Sequence, residues 1–447
     1  MSQPTTAPLQ ASESSVASVA RRARAASRDL GKLSAEARNE VLLAAAKAIE
    51  DARARILEAN EHDCRAAEAE VAAGNMTSAM LARLRVSERG VAQMAAQVRE
   101  VARLDDPLGR RLTATELDDG LVLYRESCPF GVIGVIFESR PDVVPQLASL
   151  ALKSGNAVIL KGGKEAAQTN DALVSIWREC LKKYAAVPLD SINLLQTRTD
   201  VMEMLSLDRD VDLIIPRGSY ELVRFIQEHS RIPVLGHSEG ICHVYVDRAA
   251  AVQKAIDIIY DAKVQYPAVC NAAETLLVHE TIAGKFLPQA VAKLKEGKVE
   301  IRGDAKTLAL LPNAGIVPAT EEDWATEYGD LILSVKIVAS LDEAIEHINH
   351  YGSHHTDAIV TEDAEAARRF LNEVDSAGVF QNASTRFADG YRYGLGAEVG
   401  ISTSKLHARG PMGLEGLTTY KYKLIGHGDT VGPYAKGEKK FKHRRLD

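Results

Sequence analysis

A chain of 447 residues with 46% hydrophobic and 26% charged side chains has the composition of a folded globular protein, with material for about three folding units of ~150 residues. Its formal charge of −7 argues against a general polyanion-binding face and so against nucleic acid as a partner. No run of about 18 apolar residues occurs and the N-terminus carries no basic region followed by an apolar one, which argues against membrane spanning and secretion.

Along the chain, Ser14 to about Val101 is rich in Ala, Arg and Glu, with Leu42, Leu43, Ala46 and Ile49, then Leu81 and Leu84, at helical spacing. From Asp105 the texture changes. Leu112-Thr-Ala-Thr-Glu-Leu, Asp119-Gly120 and Leu121-Val-Leu-Tyr-Arg spell a hairpin around an Asp-Gly turn. Apolar runs at Val132 to Phe137, Ala157 to Leu160, Ser191 to Leu195, Val211 to Ile215 and Val234 to Leu235 then alternate with helical segments, the βαβ rhythm of a parallel sheet. A second alternation runs through Thr275-Leu-Leu-Val, Ala314-Gly-Ile-Val, Val335-Lys-Ile-Val, Asp357-Ala-Ile-Val and Gly378-Val-Phe. The last strand, Thr418 to Ile425, alternates in pattern and is expected to pair with the hairpin as an oligomerisation element. The basic cluster Lys439, Lys440, Lys442, His443, Arg444 and Arg445 reads as a solvated tail.

Five cysteines, odd in number and without any Cys-x-x-Cys, suggest neither a disulfide framework nor zinc and fit a reducing cytoplasm. Cys270, in Val264-Gln-Tyr-Pro-Ala-Val-Cys-Asn-Ala-Ala-Glu-Thr-Leu-Leu-Val-His279, stands just before a strand-like run and beside Asn271, where a thiolate can be presented; it is the candidate nucleophile. Cys64, Cys128, Cys180 and Cys242 read as small hydrophobes in helical or strand-like runs. No Gly-x-Gly-x-x-Gly follows a strand. Two other strand-to-helix turns take its place: Lys161-Gly162-Gly163-Lys164, with lysines at the strand end and helix start, and Arg217-Gly218-Ser219, whose N–H groups suit a pyrophosphate. His354 and His355 look metal-like, but neighbours on a strand face opposite sides, so no metal is expected.

Several long segments in order resemble the gamma-glutamyl phosphate reductase family, a branch of the aldehyde dehydrogenase superfamily. They are Gly131-Val-Ile-Gly-Val-Ile-Phe-Glu-Ser-Arg-Pro-Asp142, Lys153 to Lys164, the Cys270 segment, Val338 to Ile359 and Val399 to Leu417. The resemblance implies an α/β fold with two parallel-sheet domains, a cleft and a small bridging sheet. The expected parts are an NADP-binding domain at 14–106 and 131–261, a catalytic domain at 262–412, and an oligomerisation element at 107–130 and 413–430. It also implies NADPH-dependent reduction of L-glutamyl 5-phosphate to glutamate 5-semialdehyde through a Cys270 thioester, the second step of proline synthesis. The oxyanion would be held by the nucleophile's own N–H and by a group on an earlier loop, where Arg140 replaces the superfamily's asparagine; Arg140 would then grip the phosphate or oxyanion, unless it is a structural partner of Glu138 and Asp142.

By the same resemblance, Lys161 contacts the adenosine ribose, Lys164 favours a 2′-phosphate and hence NADP(H), Ser219 contacts the pyrophosphate, and Glu327 holds the nicotinamide ribose. Gly162, Gly163 and Gly218 complete the cofactor set, and Ser139, Arg140, Ser402, Thr403 and Arg409 the substrate lining. The glutamate that activates water in hydrolytic relatives has no clear equivalent in Val234-Leu-Gly-His-Ser-Glu-Gly240, where Glu239 and His237 are the nearest bases. A small-molecule acyl phosphate is the expected partner, with a glutamate 5-kinase as the source of so labile a compound, in a homo-oligomer. An aldehyde dehydrogenase of another substrate and a catalytically silent binding protein on the same fold are the competing readings.

Overall fold

The computed structural model describes residues 15–236 and 239–446. Two compact units emerge, one of residues up to Leu235 together with those from Leu414 onward, the other Gly236–Gly413.

The first unit opens with helices α1 (Ser15–Leu30), α2 (Ala35–Asp51), α3 (Arg53–Ala72), α4 (Ser78–Leu84) and α5 (Glu88–Arg103). Ser34, Thr77 and Ser87 each accept a backbone N–H with the side chain, which fixes where α2, α4 and α5 begin. The hairpin follows as β1 (Arg111–Asp118) and β2 (Leu121–Pro129), and then the doubly covered sheet: β3 (Val132–Phe137), α6 (Val143–Lys153), β4 (Ala157–Lys161), α7 (Ala167–Leu181), β5 (Ile192–Leu194), α8 (Arg198–Met204), β6 (Leu213–Arg217) and α9 (Tyr220–His229). All three pairings are parallel, in the order β5-β4-β3-β6, with Val234 bridging Ile214 at the outer edge. Every side chain of β3 is buried, as a strand covered on both faces requires. The helical lead-in is keyed to this sheet by buried charge. Arg38 donates to Asp106 (2.7 Å) and to the Lys153 carbonyl, while Lys153 Nζ donates to Asn39 Oδ1 (2.7 Å) and the Ala102 carbonyl (3.1 Å).

The second unit contains β7 (Cys242–Val246), α10 (Val252–Val264), β8 (Ala273–His279), α11 (Glu280–Glu296), β9 (Glu300–Gly303), α12 (Ala305–Leu310), β10 (Val317–Pro318), β11 (Ile332–Val338), α13 (Leu341–Tyr351), β12 (Thr356–Val360), α14 (Ala364–Glu373), β13 (Gly378–Gln381) and the hairpin β14 (Gly400–Ser402) with β15 (Gly410–Met412). Its sheet is parallel throughout, in the order β10-β9-β11-β8-β7-β12-β13. Helices α10 and α11 seal one face around Phe286 and Leu287, and α13 and α14 the other around Tyr245 and Phe370, whose rings stack at 6.3 Å.

One boundary differs from the sequence expectation. The chain enters the second unit at Gly236 rather than at residue 262, because the run Cys242-His-Val-Tyr-Val246 hydrogen-bonds between β8 and β12. The short, charged strand Glu300–Gly303 was also not expected; its polar side chains hide its period.

After Gly413 the chain returns to the first unit as β16 (Thr418–Ile425), the short α15 (Gly432–Ala435) and β17 (Arg444–Arg445). β16 pairs antiparallel with β2 over its full length and β17 pairs with β1, giving a sheet β16-β2-β1-β17. The basic tail is therefore structured in part: Arg444 meets Glu116 and Lys442 meets Asp118 and Asp119. None of the described helices is long and apolar enough to cross a membrane.

Candidate active site

In the first unit the strand order reverses direction between β3 and β6, and the loops after these strands' carboxyl ends form the place where parallel α/β sheets take ligands. Glu138, Ser139 and Arg140 follow β3, Lys161 to Lys164 close β4, and Gly218 and Ser219 follow β6. Lys161 is half-buried and its pKa is lowered, by desolvation first, with Glu165 and Asp200 opposing. Lys164 is exposed.

The geometry adds constraints that the sequence motifs did not carry. Ser139 has a left-handed backbone (φ 43°), and both its N–H and its hydroxyl donate to Glu165 Oε1, at 2.6 and 2.9 Å. Its side chain holds the β3 loop to the β4 loop. Ser219 caps α9 through its hydroxyl, and its N–H donates to Glu138 Oε2 at 3.0 Å, so a carboxylate occupies the N-terminus of that helix. A side chain on Gly162 would lie 2.1 Å from Asn170 Nδ2; the protein's own packing requires that glycine. Arg140 is exposed and has no ion pair among the described residues, although Glu138 and Asp142 flank it in sequence.

In the second unit, loops at the amino ends of the central strands carry the reactive groups. Cys270 is a free, half-buried thiol in the loop before β8. The loop before β7 passes directly against it: a Cβ on Gly240 would stand 2.1 Å from the Cys270 carbonyl oxygen and 2.5 Å from its Cα. Gly240 N–H donates to Glu327 Oε2 at 3.0 Å, and Ile241 N–H to Ser353 Oγ at 2.8 Å. Glu327 is thus tied to the backbone that supports the thiol. The Cys270 N–H has no acceptor among the described residues, which leaves it available to an incoming oxyanion. Asn271 is buried, donates through Nδ2 to the Ala388 carbonyl at 2.8 Å, and has no partner at Oδ1. Glu239 immediately precedes Gly240 and is half-buried, while His237 lies outside the described residues.

Beneath this loop, Lys263 and Glu274 form a wholly buried ion pair at 2.6 Å, and Glu274 Oε1 also accepts the Gly329 N–H at 3.3 Å. Burial pushes the Glu274 carboxyl up to about 7, against the pull of Lys263, and burial likewise lowers Lys263. A carboxylate whose folded pKa is raised contributes its stability below the unfolded value near 4.5 and loses it as the pH rises through about 7. Lys263→Met removes the compensating cation. The expected cost is about 3–5 kcal/mol at pH 8.5 and less at pH 6, where Glu274 takes a proton, with Lys263→Met/Glu274→Leu recovering most of it. Thermal unfolding at the two pH values checks this; a penalty independent of pH would show that Lys263 acts by packing alone.

The remaining sequence candidates lie on the same unit. Ser402 is fully buried in β14 with its hydroxyl 2.9 Å from Ser404 Oγ, and Thr403 is half-buried. Arg409 is held by Asp375, Nη1 to Oδ1 at 3.1 Å and Nη2 to the carbonyl at 3.0 Å, so its charge already has a partner. His354 Nδ1 lies 2.7 Å from the same Asp375 carbonyl. His355 is buried beside Cys242 and Thr356. Among the described residues no group of three or more His, Cys, Asp or Glu side chains is placed to hold a metal ion. Sequence reasoning missed Gly240 and Glu274. Glu274, four residues beyond Cys270, was hidden in an apolar strand, and no spacing could have flagged Gly240, which meets Cys270 only in the fold.

The sequence model of the aldehyde dehydrogenase family matches residues 2–309. A gamma-glutamyl phosphate reductase of Cyanothece sp. is 55% identical over 429 residues, covering 96% of this chain and 97% of its own. One from Pelotomaculum thermopropionicum is 54% identical over 429 residues, with the same coverage of 96% and 97%. The crystal structure of the Thermotoga maritima gamma-glutamyl phosphate reductase superposes with a TM-score of 0.90 at 41% identity, covering 93% of this chain and 100% of that one.

Proposed function

Because the chain belongs to the gamma-glutamyl phosphate reductase branch of the aldehyde dehydrogenase family, we propose that it reduces L-glutamyl 5-phosphate to L-glutamate 5-semialdehyde and phosphate, with NADPH as reductant, in the formation of proline. The observation that carries the reading is the free, half-buried Cys270 on a loop braced by Gly240 and Glu327. In this reading the Cys270 thiolate attacks the acyl carbon. A C–S bond forms, the tetrahedral oxygen takes the free Cys270 N–H, and the C–O bond to phosphate breaks with its electron pair leaving on phosphate. A nicotinamide dinucleotide held by the first unit's loops would supply hydride to the thioester carbon, and Cys270 would then leave as thiolate as the C–S bond breaks and the aldehyde forms.

The first unit's carboxyl-edge loops fit a nicotinamide dinucleotide in charge and backbone: Lys161 for the adenosine ribose, Lys164 for the 2′-phosphate, and Gly162, Gly163, Gly218 and Ser219 along the pyrophosphate path. Engagement of the α9 N-terminus requires Glu138 to give up the Ser219 N–H. Glu327 is assigned to the nicotinamide ribose, with Arg140 and Ser139 assigned to the substrate side. Lys164→Glu is expected to lower the preference for NADPH over NADH by about tenfold or more, as a like charge meets the 2′-phosphate; an unchanged ratio of kcat/KM values would move that discrimination elsewhere.

Assembly into a homo-oligomer is supported by β16, an edge strand that exposes Tyr420, Tyr422, Leu424 and Ile425. Reception of the acyl phosphate from a glutamate 5-kinase, and a cytoplasmic setting for its five free thiols, belong to the same proposal. The test of the activity is the reverse reaction: NADP and glutamate 5-semialdehyde should give NADPH only when phosphate is present. Turnover without phosphate would assign the protein to hydrolytic aldehyde oxidation instead.

A further inference from the structure

The segment Asn382-Ala-Ser-Thr-Arg-Phe-Ala388 after β13 is fixed at both ends. At its start the Asn382 side chain makes two hydrogen bonds with the Thr361 backbone, at 3.0 and 2.9 Å, and the residue adopts a left-handed backbone. At its end the Ala388 carbonyl accepts from Asn271, the residue next to the thiol. Between these anchors Ser384 turns the chain by accepting the Arg386 N–H, and Arg392 donates to the Arg386 carbonyl.

Arg386 is therefore delivered to the Cys270 loop and held there. Its Nε–H donates to Gln265 Oε1 at 3.0 Å, on the chain leading from α10 to Cys270. The residue is only 7% exposed. Among the described residues it has no carboxylate within ion-pairing distance, and Nε–H is its only side-chain donor with an acceptor. Desolvation and Arg392 disfavour its charge, whereas Asp261, Asp389 and a Cys270 thiolate favour it. A largely desolvated guanidinium with a neutral acceptor at Nε and no carboxylate in reach can gain from an anion that arrives during the reaction.

We propose that Arg386 is the receptor for the phosphoryl group at Cys270, gripping the acyl phosphate in the forward direction and inorganic phosphate in the reverse. The assignment rests on Cys270 as the nucleophile. The reacting carbon is bonded both to the sulfur and to the phosphate-bearing oxygen in the adduct, so phosphoryl oxygens lie beside any group that flanks the thiol. The α-carboxylate carbon of a glutamyl chain lies four bonds from that carbon, whereas phosphorus lies two. The planar fork of an arginine matches two phosphoryl oxygens at once.

The experiment measures reverse turnover of wild type, Arg386→Gln and Arg386→Lys while phosphate and glutamate 5-semialdehyde are titrated separately, together with Cys270 alkylation by neutral iodoacetamide with and without inorganic phosphate. The expected result is a KM for phosphate raised about 10- to 100-fold in Arg386→Gln, with the KM for the semialdehyde little changed and a smaller effect in Arg386→Lys. Phosphate should slow alkylation of wild type and not of Arg386→Gln. An unchanged phosphate KM, or a rise confined to the semialdehyde KM, overturns the assignment. Should Arg386→Gln fail to fold, Arg386→Lys alone must raise the phosphate KM. Failure of the underlying reading is distinct from either, since wild type would then turn over without phosphate.

Discussion

Cys270→Ala should reduce reductase turnover by about 10⁴-fold or more while leaving NADPH binding intact. The thiol is half-buried at the amino end of β8, and the other four cysteines cannot replace it. Cys64, Cys180 and Cys242 are buried, and burial pushes the pKa of each upward. Cys128 lies in the β2 strand of the first unit, and burial raises its pKa too. On the proposed mechanism, loss of Cys270 leaves the acyl group without a covalent carrier, and direct hydride transfer to the acyl phosphate is all that remains. The residues assigned to the adenosine ribose, 2′-phosphate and pyrophosphate are untouched by the change, so the dissociation constant for NADPH, followed by its fluorescence, should stay within about twofold. Cys270→Ser keeps the shape and supplies a weaker nucleophile, and is expected to be nearly as inactive. Turnover surviving either change would take the thioester out of the mechanism.

Gly240→Ala is expected to cost about 10²- to 10³-fold in kcat without touching any reacting atom. The added methyl would meet the backbone of Cys270, at 2.1 Å from its oxygen, 2.5 Å from Cα and 2.6 Å from the carbonyl carbon. No side chain can swing aside to relieve that contact, so one of the two loops must move. If the Gly240 loop moves, its hydrogen bond to Glu327 is stretched; if the Cys270 loop moves, the sulfur is displaced directly. A displacement near 1 Å is enough for the predicted loss. The measurement is kcat alongside the iodoacetamide rate of Cys270 and the thermal midpoint. Wild-type kcat would mean that the loops yield without disturbing the thiol, and a collapsed midpoint with a normal alkylation rate would reassign Gly240 to stability alone.

Much of the architecture was legible in local pattern. The alternation of apolar runs with helical segments reports two parallel sheets because buried central strands need continuous apolar sequence, as in the wholly buried β3, β7, β8 and β12. The hairpin was legible from Asp119-Gly120, and its pairing with Thr418–Ile425 from the alternation of both strands. Cys270 stood out because a thiol next to Asn271, just ahead of such a run, is a local arrangement.

What sequence could not decide was which sheet a strand joins and which distant loops meet. Ile241-Cys-His-Val-Tyr-Val246 reads the same whether it closes the first sheet or enters the second. Only the pairing with β8 and β12 places it, and with it the loop that carries Gly240 to the thiol. Ser139 and Arg409 both read as substrate lining; that Glu165 and Asp375 hold them was not legible, since no spacing connects these partners to them. The sequence by itself determined the fold class and the family, and singled out Cys270 as the candidate nucleophile, since periodicity and motif are properties of neighbouring residues. The tertiary structure decided how the thiol's loop is braced, because Gly240 packs against Cys270, Glu327 binds the Gly240 backbone and the Arg386 segment bonds Gln265 and Asn271 only after the sheet has formed, through hydrogen bonds and close packing between residues far apart in the chain.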